Sequence, residues 1–560
     1  MESRIMKKKA RFINIITAFV LAILMLFLIA SFEKLYSNVD NFNISLVTNG
    51  LFDKDGYTYY LHPWLCKFIN ILANILPKAD AYVLLMHTLL FVCIWSIFDL
   101  ILNLKISRFS QIVFIFITFT SGIVVNIWNC NYTIHAAFFV FTGEILILNG
   151  HSWLYRYIVG IILLCFGFMW RIKGALLISP FIILDICFRI INNRNYKILR
   201  NKGQVKYFLI PLLCIAILCV SQYTVENSKT YKKYVEYSVY RTKVEDFPVA
   251  SWKEISEKMV TVTEADYKAV VSWILLDTDR VNTHTFKQIS DVGSINKYPY
   301  SVSGVIQAIK EMIHTFISYK SWTFIFSGII LSIIIYLLLN CKSRWKALAE
   351  IVFAIFGAFV IILYFSIRGR AVLHIWVSVN LITEYLIVVI AARELQRLEN
   401  KKKNKLYGVI LLSICVIGVF FNLIKGEWHI PQLAINSRTG NEINEFERTY
   451  ENDNVYIWGS WHKNVTSIYM NNGKLPTQEF MNHNISAGDW TYGQKFFYES
   501  LLKMKITNPA LALLERDNTY FVDEDCKFVC NYLRQSYGKK VSAVKVGKIN
   551  NITVWKFKTK

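Results

Sequence analysis

The chain has 560 residues, of which 54% are hydrophobic and only 18% are charged. A soluble protein of this length carries about a quarter charged residues, so the composition excludes an ordinary soluble enzyme. The formal net charge of +23 does not indicate nucleic-acid binding, because the basic residues are clustered between apolar stretches instead of covering one surface.

Eleven apolar stretches follow one another along the chain, and each can cross a hydrocarbon core about 30 Å thick as a helix. They are Phe12–Phe32, Ala81–Leu102, Phe109–Ile127, Tyr132–Leu148, Leu154–Trp170, Ala175–Ile191, Tyr207–Val225, Trp322–Leu339, Ala347–Ile367, Ala371–Ala391 and Leu406–Ile424. The first of them lacks a small-residue cleavage site, so we expect it to be retained as a helix. The pattern predicts a polytopic α-helical membrane protein with about eleven transmembrane helices.

Basic clusters fall at alternate ends of these stretches, which is the positive-inside pattern. The clusters are Arg4–Arg11, Lys105 with Arg108, Arg156, Arg189–Lys206, Lys342–Lys346 and Arg393–Lys405. We therefore predict a multi-pass protein of the cell membrane with a cytoplasmic N-terminus and an external C-terminus. The transmembrane domain would span 1–424, with external loops at about 33–80 and 226–315, and an extracytoplasmic domain would span 425–560.

The first external loop carries several candidate functional residues. Asp40 follows the first span directly, where it could deprotonate a hydroxyl group or hold a divalent cation; a solvated or helix-capping carboxylate is the alternative. Tyr57 and Tyr60 could stack on a sugar face or serve as interfacial aromatic residues, and His62 is a candidate for substrate binding. Pro63–Leu76 has the apolar spacing of an amphipathic helix at the outer membrane interface.

The other two external segments also show local patterns. In the second loop, Thr263 precedes an apolar-periodic run and predicts a helix N-cap. Residues 425–560 resemble a small α/β domain, for which a lid or an acceptor-recognition module is the favoured role. Its predicted elements are strands Val455–Trp458 and Thr519–Val522, helices Ala510–Glu515 and Cys526–Gln535, and strands Val541–Val546 and Ile552–Phe557 around an Asn550-Asn551 hairpin turn.

Four basic residues break the positive-inside pattern, because they end two spans on the external side. Arg171 and Lys173 follow one span, and Arg368 and Arg370 follow another. Guanidinium groups match phosphate oxygens well, so these residues are candidates for binding a lipid-linked phosphate. The alternative is that they contact lipid headgroups.

Further candidates lie inside the spans. Glu144 and Glu384 fall within apolar stretches, and His135 and His374 fall near outer ends. Intramembrane ionisable residues indicate function, and here they suit either substrate binding or a proton-coupled transporter. Packing or hydrogen bonding between helices is the alternative for Glu144.

Two motifs in the first loop carry a resemblance to a known group of enzymes. Asp40-Asn41, followed by His62-Pro63-Trp64-Leu65, resembles the acidic pair and HPPL-like motif of the GT-C superfamily, in its protein mannosyltransferase and aminoarabinose transferase branch. The second acidic position is occupied here by Asn41. Residues 1–340 also resemble a group of bacterial polytopic membrane proteins, through Asn49-Gly50, Met169-Trp170-Arg171, Pro180-Phe181, Glu264-Ala265-Asp266-Tyr267, Trp273 and Asp277.

The resemblance implies transfer of a sugar from a polyprenyl-phosphate donor to a cell-envelope glycan or lipid on the external face. It implies that Asp40 is the general base, and that basic residues at the outer helix ends hold the donor phosphate. The expected partners are therefore the lipid-linked donor, the envelope acceptor and membrane lipids, without nucleic acid. A divalent cation is left open. The alternatives are a transporter or flippase of lipid-linked glycans, and a polymerase or ligase of envelope polysaccharide.

Overall fold

The structure is a computed structural model, and it describes most of the chain. The described residues are 2–32, 39–128, 131–149, 154–192, 202–258, 261–294, 296–318, 344–396, 453–472, 474–538 and 540–559, with isolated positions at 330, 333, 334, 443 and 446. The described residues are mostly helical, and the C-terminal region carries a small sheet.

The helices before the C-terminal region are numbered in chain order. They are Glu2–Phe32 (α1), Val39–Thr48 (α2), Pro63–Ile75 (α3), Ala81–Leu102 (α4), Arg108–Trp128 (α5), Tyr132–Asn149 (α6), Leu154–Trp170 (α7), Ile172–Asn192 (α8), Lys202–Glu226 (α9), Lys232–Asp246 (α10), Trp252–Lys258 (α11), Glu264–Val271 (α12), Thr283–Val292 (α13), Val302–Ser318 (α14), Arg344–Ile367 (α15) and Leu373–Gln396 (α16). The amphipathic segment after His62 is a helix, α3, as predicted.

Seven helical segments of the described residues are long and apolar enough to cross a membrane. They are Lys9–Ile29, Ala81–Leu102, Tyr132–Asn149, Ile172–Ile191, Leu209–Glu226, Trp345–Ile367 and Leu373–Gln396. Arg108–Phe119 and Leu154–Trp170 are shorter apolar helices at two further predicted spans. Leu406–Ile424 lies outside the described residues, as does Trp322–Leu339 apart from isolated positions. The protein therefore has several helices suited to a membrane, and the number eleven stays a prediction.

The centre of the bundle is formed by α6 and α16. Of the 18 most apolar consecutive residues in each helix, 94% are buried in α6 and 89% in α16. In Leu209–Glu226 only 11% are buried. Glycines bring α6 against α7, because a Cβ atom on Gly143 would lie 2.6 Å from the carbonyl oxygen of Gly160. Small residues permit such close backbone approach between membrane helices.

The bundle has two ends with different chemistry. We call the end at which α7 meets α8 and α15 meets α16 the outer end, after the orientation that the sequence predicts. α2 and α3 also lie at this end. The opposite inner end carries buried ion pairs. Arg156 binds Asp99 with an N–O distance of 2.6 Å, and Arg393 lies 3.0 Å from both Asp185 and Glu350. Arg156 and Arg393, two described members of the basic clusters, thus lie at the inner end.

The C-terminal region contains a five-stranded sheet with the strand order β2-β1-β3-β5-β4. Its strands are Val455–Trp458 (β1), Asn484–Ser486 (β2), Thr519–Val522 (β3), Val541–Ile549 (β4) and Ile552–Thr559 (β5), and its α-helices are Ser467–Asn472 (α17), Gln478–His483 (α18), Lys495–Lys503 (α19), Pro509–Glu515 (α20) and Lys527–Tyr537 (α21). β1 pairs in parallel with β2 and β3, whereas β5 is antiparallel to β3 and β4. The predicted strands and helices are present with bounds that differ by up to three residues, and β2, α17, α18 and α19 were not predicted. Asn550 and Asn551 turn the hairpin with φ angles of 47° and 65°, a conformation that asparagine tolerates.

The second external loop packs against this C-terminal region. Asp277 is fully buried, and its carboxylate accepts hydrogen bonds from Tyr537 at 2.6 Å and Tyr532 at 3.2 Å. Asp266 forms a capping box with Thr263 at the start of α12, which confirms the predicted N-cap. The acidic motif of this loop therefore anchors the loop to α21.

The first external loop also contacts the C-terminal region. The side-chain amide of Gln478 donates to the carbonyl oxygen of Leu51 at 2.9 Å, and Lys503 donates to that of Phe52 at 2.7 Å. The rings of Phe52 and Phe496 lie 5.2 Å apart. These contacts place α2 between the bundle and the sheet.

Candidate functional site

Asp40 lies in the first turn of α2, where the helix dipole stabilises a negative charge. α2 is fixed at the outer end by Asp80, the N-cap of α4. Asp80 accepts hydrogen bonds from Ser45 at 2.6 Å and from Asn49 at 3.0 Å. The position of Asp40 therefore follows from the packing of α2 on α4.

Asn41, the residue at the second acidic position of the resemblance, has a structural role. It is buried, and its side-chain oxygen accepts hydrogen bonds from the backbone N–H of Tyr132 at 3.3 Å and from the hydroxyl of Tyr82 at 3.4 Å. An amide suits a buried site between helices, because an ionised carboxylate there would lose its hydration. Asn41 thus joins α2 to α6.

Arg171 stands at the junction of α7 and α8. Its guanidinium carbon lies 4.3 Å from the ring centroid of Tyr132 and 5.5 Å from that of Tyr60. Its Nη1 is buried and has no hydrogen-bond partner among the described residues. The guanidinium therefore keeps one donor free for an anionic oxygen.

A second guanidinium, that of Arg241 on α10, reaches the same place. Its side chain is 1% exposed, and it donates to the Tyr60 hydroxyl at 2.8 Å and to Glu245 at 2.7 Å. Its Nε has no partner among the residues that the structure describes. Sequence analysis missed Arg241, because nothing in its local pattern distinguishes it from the other basic residues of the loop.

The C-terminal region contributes Asp489 and Trp490. Asp489 accepts a hydrogen bond from the side-chain amide of Asn43 at 3.4 Å, and the backbone N–H and hydroxyl of Thr491 hold its other oxygen. The ring of Trp490 lies edge to face with that of Tyr60 at 4.7 Å. We call the following group the Asp40 cluster: Asp40, Tyr60, Tyr132, Arg171, Arg241, Asp489 and Trp490.

The electrostatics of this cluster favour a proton acceptor. Burial raises the pKa of Asp40 above its ordinary value of 3.8, and the charges of Arg171 and Arg241 oppose that shift. Asp246 and Asp489 act in the same direction as burial. A carboxylate with a raised pKa binds a proton more tightly, so Asp40 is a stronger base than a solvated aspartate.

The other predicted basic residues lie around the outer end. Arg370 forms an ion pair with Asp246, and the guanidinium of Arg368 lies 4.7 Å from the ring centroid of Tyr364. The ammonium of Lys173 lies 5.7 Å from the Tyr59 ring.

His374 lies at the start of α16, where the charges of Arg171 and Arg370 act on it. The charge of Arg171 therefore acts on both His374 and Asp40, and that of Arg370 acts on His374.

His62 and Tyr57 are held by structural contacts. His62 is the N-cap of α3, where its Nδ1 accepts from the backbone N–H of Trp64, and its Nε2 lies 2.9 Å from the Ser221 hydroxyl. The Tyr57 ring packs on that of Tyr231 at 4.4 Å. Both residues shape the first external loop beside the cluster.

The intramembrane candidates on α6 and α16 lie elsewhere. His135 is buried and stacks on Phe139 at 6.0 Å. Glu144 is buried near the inner end, where the charges of Asp185 and Arg189 act on it, and neither of its oxygens has a hydrogen-bond partner among the described residues. Glu384 is fully buried within α16.

A cluster of three carboxylates that could hold a cation is formed by residues of the first external loop and α19. Oxygens of Asp53, Asp55 and Glu499 lie within 4.8 Å of one another. The Lys495 ammonium binds Asp55 and Glu499 and lies 3.7 Å from Asp53. Since a lysine charge already stands among these oxygens, the group fits an internal ion-pair network better than a metal.

A cavity of about 220 Å³ lies at the inner end of the bundle. Its wall includes aliphatic residues of α4, α6 and α16 together with Arg156 and Arg393. The cavity is therefore separate from the Asp40 cluster.

No protein family model, no curated protein and no solved structure matches this chain. The resemblance to GT-C enzymes rests on short motifs, so the functional argument depends on the geometry of the Asp40 cluster.

Proposed function

We propose that this protein is a membrane glycosyltransferase. It transfers a sugar from a polyprenyl-phosphate donor to a cell-envelope glycan or lipid at the external membrane face, with Asp40 as general base. One observation carries the proposal: a carboxylate of raised pKa shares its site with two guanidinium groups that each keep a buried N–H without a partner among the described residues.

The two guanidinium groups supply the donor phosphate site. The phosphate of a lipid-linked sugar is anionic, and each charge-assisted hydrogen bond to it contributes about 1.5–3 kcal/mol. Arg171 ends a membrane helix, whereas Arg241 lies on α10 beyond the bundle. A lipid in the bilayer would therefore place its phosphate between them.

The reaction follows from this arrangement. Asp40 takes the proton of the acceptor hydroxyl as its oxygen attacks the anomeric carbon, on the face opposite the phosphate. The bond between that carbon and the phosphate oxygen breaks, and the phosphate leaves with the electron pair. Arg171 and Arg241 stabilise the charge that the phosphate gains in the transition state. The products are a glycoside of inverted configuration and a polyprenyl phosphate.

The aromatic residues give the site its apolar surface. Tyr60, Tyr132 and Trp490 surround the guanidinium groups with ring faces and edges. Such rings pack against the C–H faces of a sugar and exclude water, which strengthens charge interactions in the site.

A transporter or flippase of lipid-linked glycans is the second candidate, and Glu144 is the observation that favours it. A buried carboxylate without a hydrogen-bond partner among the described residues can carry a proton through a membrane. This candidate needs Glu144 and no external base, so Glu144→Gln would stop transport while Asp40→Asn would not.

The test uses purified protein in proteoliposomes, a polyprenyl-phosphate sugar and an envelope acceptor fraction, with release of the lipid phosphate followed over time. Asp40→Asn keeps the shape of the side chain and removes the base, so we expect turnover to fall by about 10² to 10⁴. The exposed Asp525 provides the matched control Asp525→Asn, which should keep the wild-type rate. Equal rates for wild type and Asp40→Asn would remove Asp40 from the mechanism.

A further inference from the structure

Asp489 and Trp490 lie just after β2, in a segment whose backbone is closely held. The backbone N–H of Ala487 donates to the carbonyl oxygen of Trp458 at 2.8 Å. A Cβ atom on Gly488 would lie only 1.8 Å from the carbonyl oxygen of Trp273. The second external loop and β1 therefore fix the direction in which Asp489 and Trp490 leave the sheet.

Asp489 meets α2 on the face that carries Asp40. Asn43 follows Asp40 by three residues on α2, and residues with that spacing share one face of a helix. Asn43 donates to Asp489, and the charge of Asp489 acts on Asp40. The C-terminal region therefore reaches the face of α2 that carries Asp40.

Two polar atoms, one on Asn43 of α2 and one on Trp490, are buried and make no hydrogen bond within the described residues. They are the side-chain oxygen of Asn43 and the Nε1 of Trp490, whose residues are 0% and 5% exposed. Burying such groups unpaired is costly, so native proteins satisfy them with a ligand or with water. One is an acceptor and the other a donor, and hydroxyl groups can bind either kind of atom.

The negative charge of Asp489 determines whether the part of the site next to it binds the acceptor or the donor phosphate. A carboxylate accepts hydrogen bonds from neutral hydroxyl groups but repels a phosphate. Arg171 stands on the membrane side, at the end of a spanning helix, whereas Asp489 and Trp490 come from the C-terminal region. Arg171 and the two residues of the C-terminal region thus reach the site from different parts of the chain.

We infer that Asp489 and Trp490 bind the acceptor, and that the acceptor group is a sugar with free hydroxyls. This inference rests on the proposed function, and it assigns half of the substrate site to the C-terminal region. Asp489 accepts a hydrogen bond from one acceptor hydroxyl, Trp490 donates to another oxygen, and its ring packs against the sugar.

The test compares apparent KM values for acceptor and donor in the full-length protein. Asp489→Asn keeps an oxygen for Thr491 but loses the charge, and Trp490→Phe keeps a ring but loses the N–H. We expect each variant to raise the acceptor KM by about tenfold or more, with the donor KM changed by less than about twofold. Asp517→Asn, at an exposed aspartate of the same C-terminal region, should change neither value.

The acceptor itself is probed by treating the envelope fraction before the assay. Periodate, which cleaves neighbouring hydroxyl groups, should abolish acceptor activity, whereas protease digestion should leave it. Loss on protease digestion alone would overturn the sugar assignment.

Failure of the proposed function and failure of this inference give different experimental results. A wild-type protein that transfers no sugar contradicts the proposed function and this inference together. A wild-type protein that transfers sugar, with variants that keep its acceptor KM or that raise the donor KM equally, contradicts this inference alone. Trp490→Phe decides the case if Asp489→Asn fails to fold.

Discussion

The guanidinium of Arg241 donates a hydrogen bond of 2.8 Å to the hydroxyl oxygen of Tyr60. Tyr60 belongs to the first external loop and Arg241 to the second, so this bond joins two loops that are distant in sequence. Arg171 lies over the ring of the same Tyr60, 5.5 Å from its centroid. One tyrosine thus orders both guanidinium groups of the proposed phosphate site.

Tyr60→Phe is expected to loosen this arrangement while keeping the ring under Arg171. The loss of a hydrogen bond to a buried charge should lower the free energy of unfolding by about 1.5–3 kcal/mol. The donor KM should rise as well, because Arg241 loses one of its two fixed contacts. Thermal unfolding in detergent and transfer kinetics measure the two effects. An unchanged stability together with an unchanged donor KM would show that the bond does not order Arg241.

Arg171→Ala is expected to weaken donor binding by about tenfold or more, because it removes a charge-assisted contact to phosphate. Arg368→Ala is expected to act in the same direction if all four outer basic residues bind the donor. Arg108 is an exposed arginine at the inner end, so Arg108→Ala is the matched control. Binding of a polyprenyl phosphate measures the effect. Wild-type affinity in Arg171→Ala would assign this residue to lipid headgroups instead.

The pH dependence of transfer should report Asp40. A general base acts only when ionised, so the rate falls as pH decreases through its pKa, which burial raises above 3.8. Asp489 raises the pKa of Asp40 and Arg241 lowers it. The acid limb should therefore move to lower pH in Asp489→Asn and to higher pH in Arg241→Gln. Rates at saturating substrates, measured from about pH 4 to 9, test this. If the acid limb of the pH–rate profile lies at the same pH in the wild type and in both variants, a group other than Asp40 causes it.

Much of the fold was predictable because it depends on local patterns. The apolar runs predicted seven described helices that are long and apolar enough to cross a membrane, and the alternation around Asn550-Asn551 predicted the C-terminal hairpin. Thr263 was identifiable as a cap because a capping box needs only four adjacent residues. Short β2 was missed, since a three-residue strand, Asn484–Ser486, carries too few side chains to show a period.

The candidate site was only half predictable. Asp40 stands out because it follows the first predicted span and precedes the His62-Pro63 motif, and Arg171 because a basic residue breaks the positive-inside pattern at a predicted external end. Arg241 and Asp489 lie outside the apolar runs, in parts of the sequence in which charged residues are common, and only tertiary packing brings them to Asp40. His62 shows the converse: its motif is visible in the sequence, but the side chain caps α3.

The orientation of the protein in the membrane provides the last prediction. The Asp40 cluster lies at the outer end, whereas Arg156, Arg189 and Arg393 lie at the inner end in buried or partly buried ion pairs. Basic residues near helix ends favour the cytoplasmic side, so the inner end should be cytoplasmic. A reporter fused after Lys401 should then be cytoplasmic, and one fused after Lys560 should be external. An alkaline phosphatase fusion, active only outside, and a fluorescent-protein fusion, active only inside, give opposite readouts at each position.

A cytoplasmic reporter after Lys560 would place the sheet and the Asp40 cluster inside the cell. Transfer at the external face would then be impossible at this site, and the proposed function would be wrong whatever the effect of Asp40→Asn.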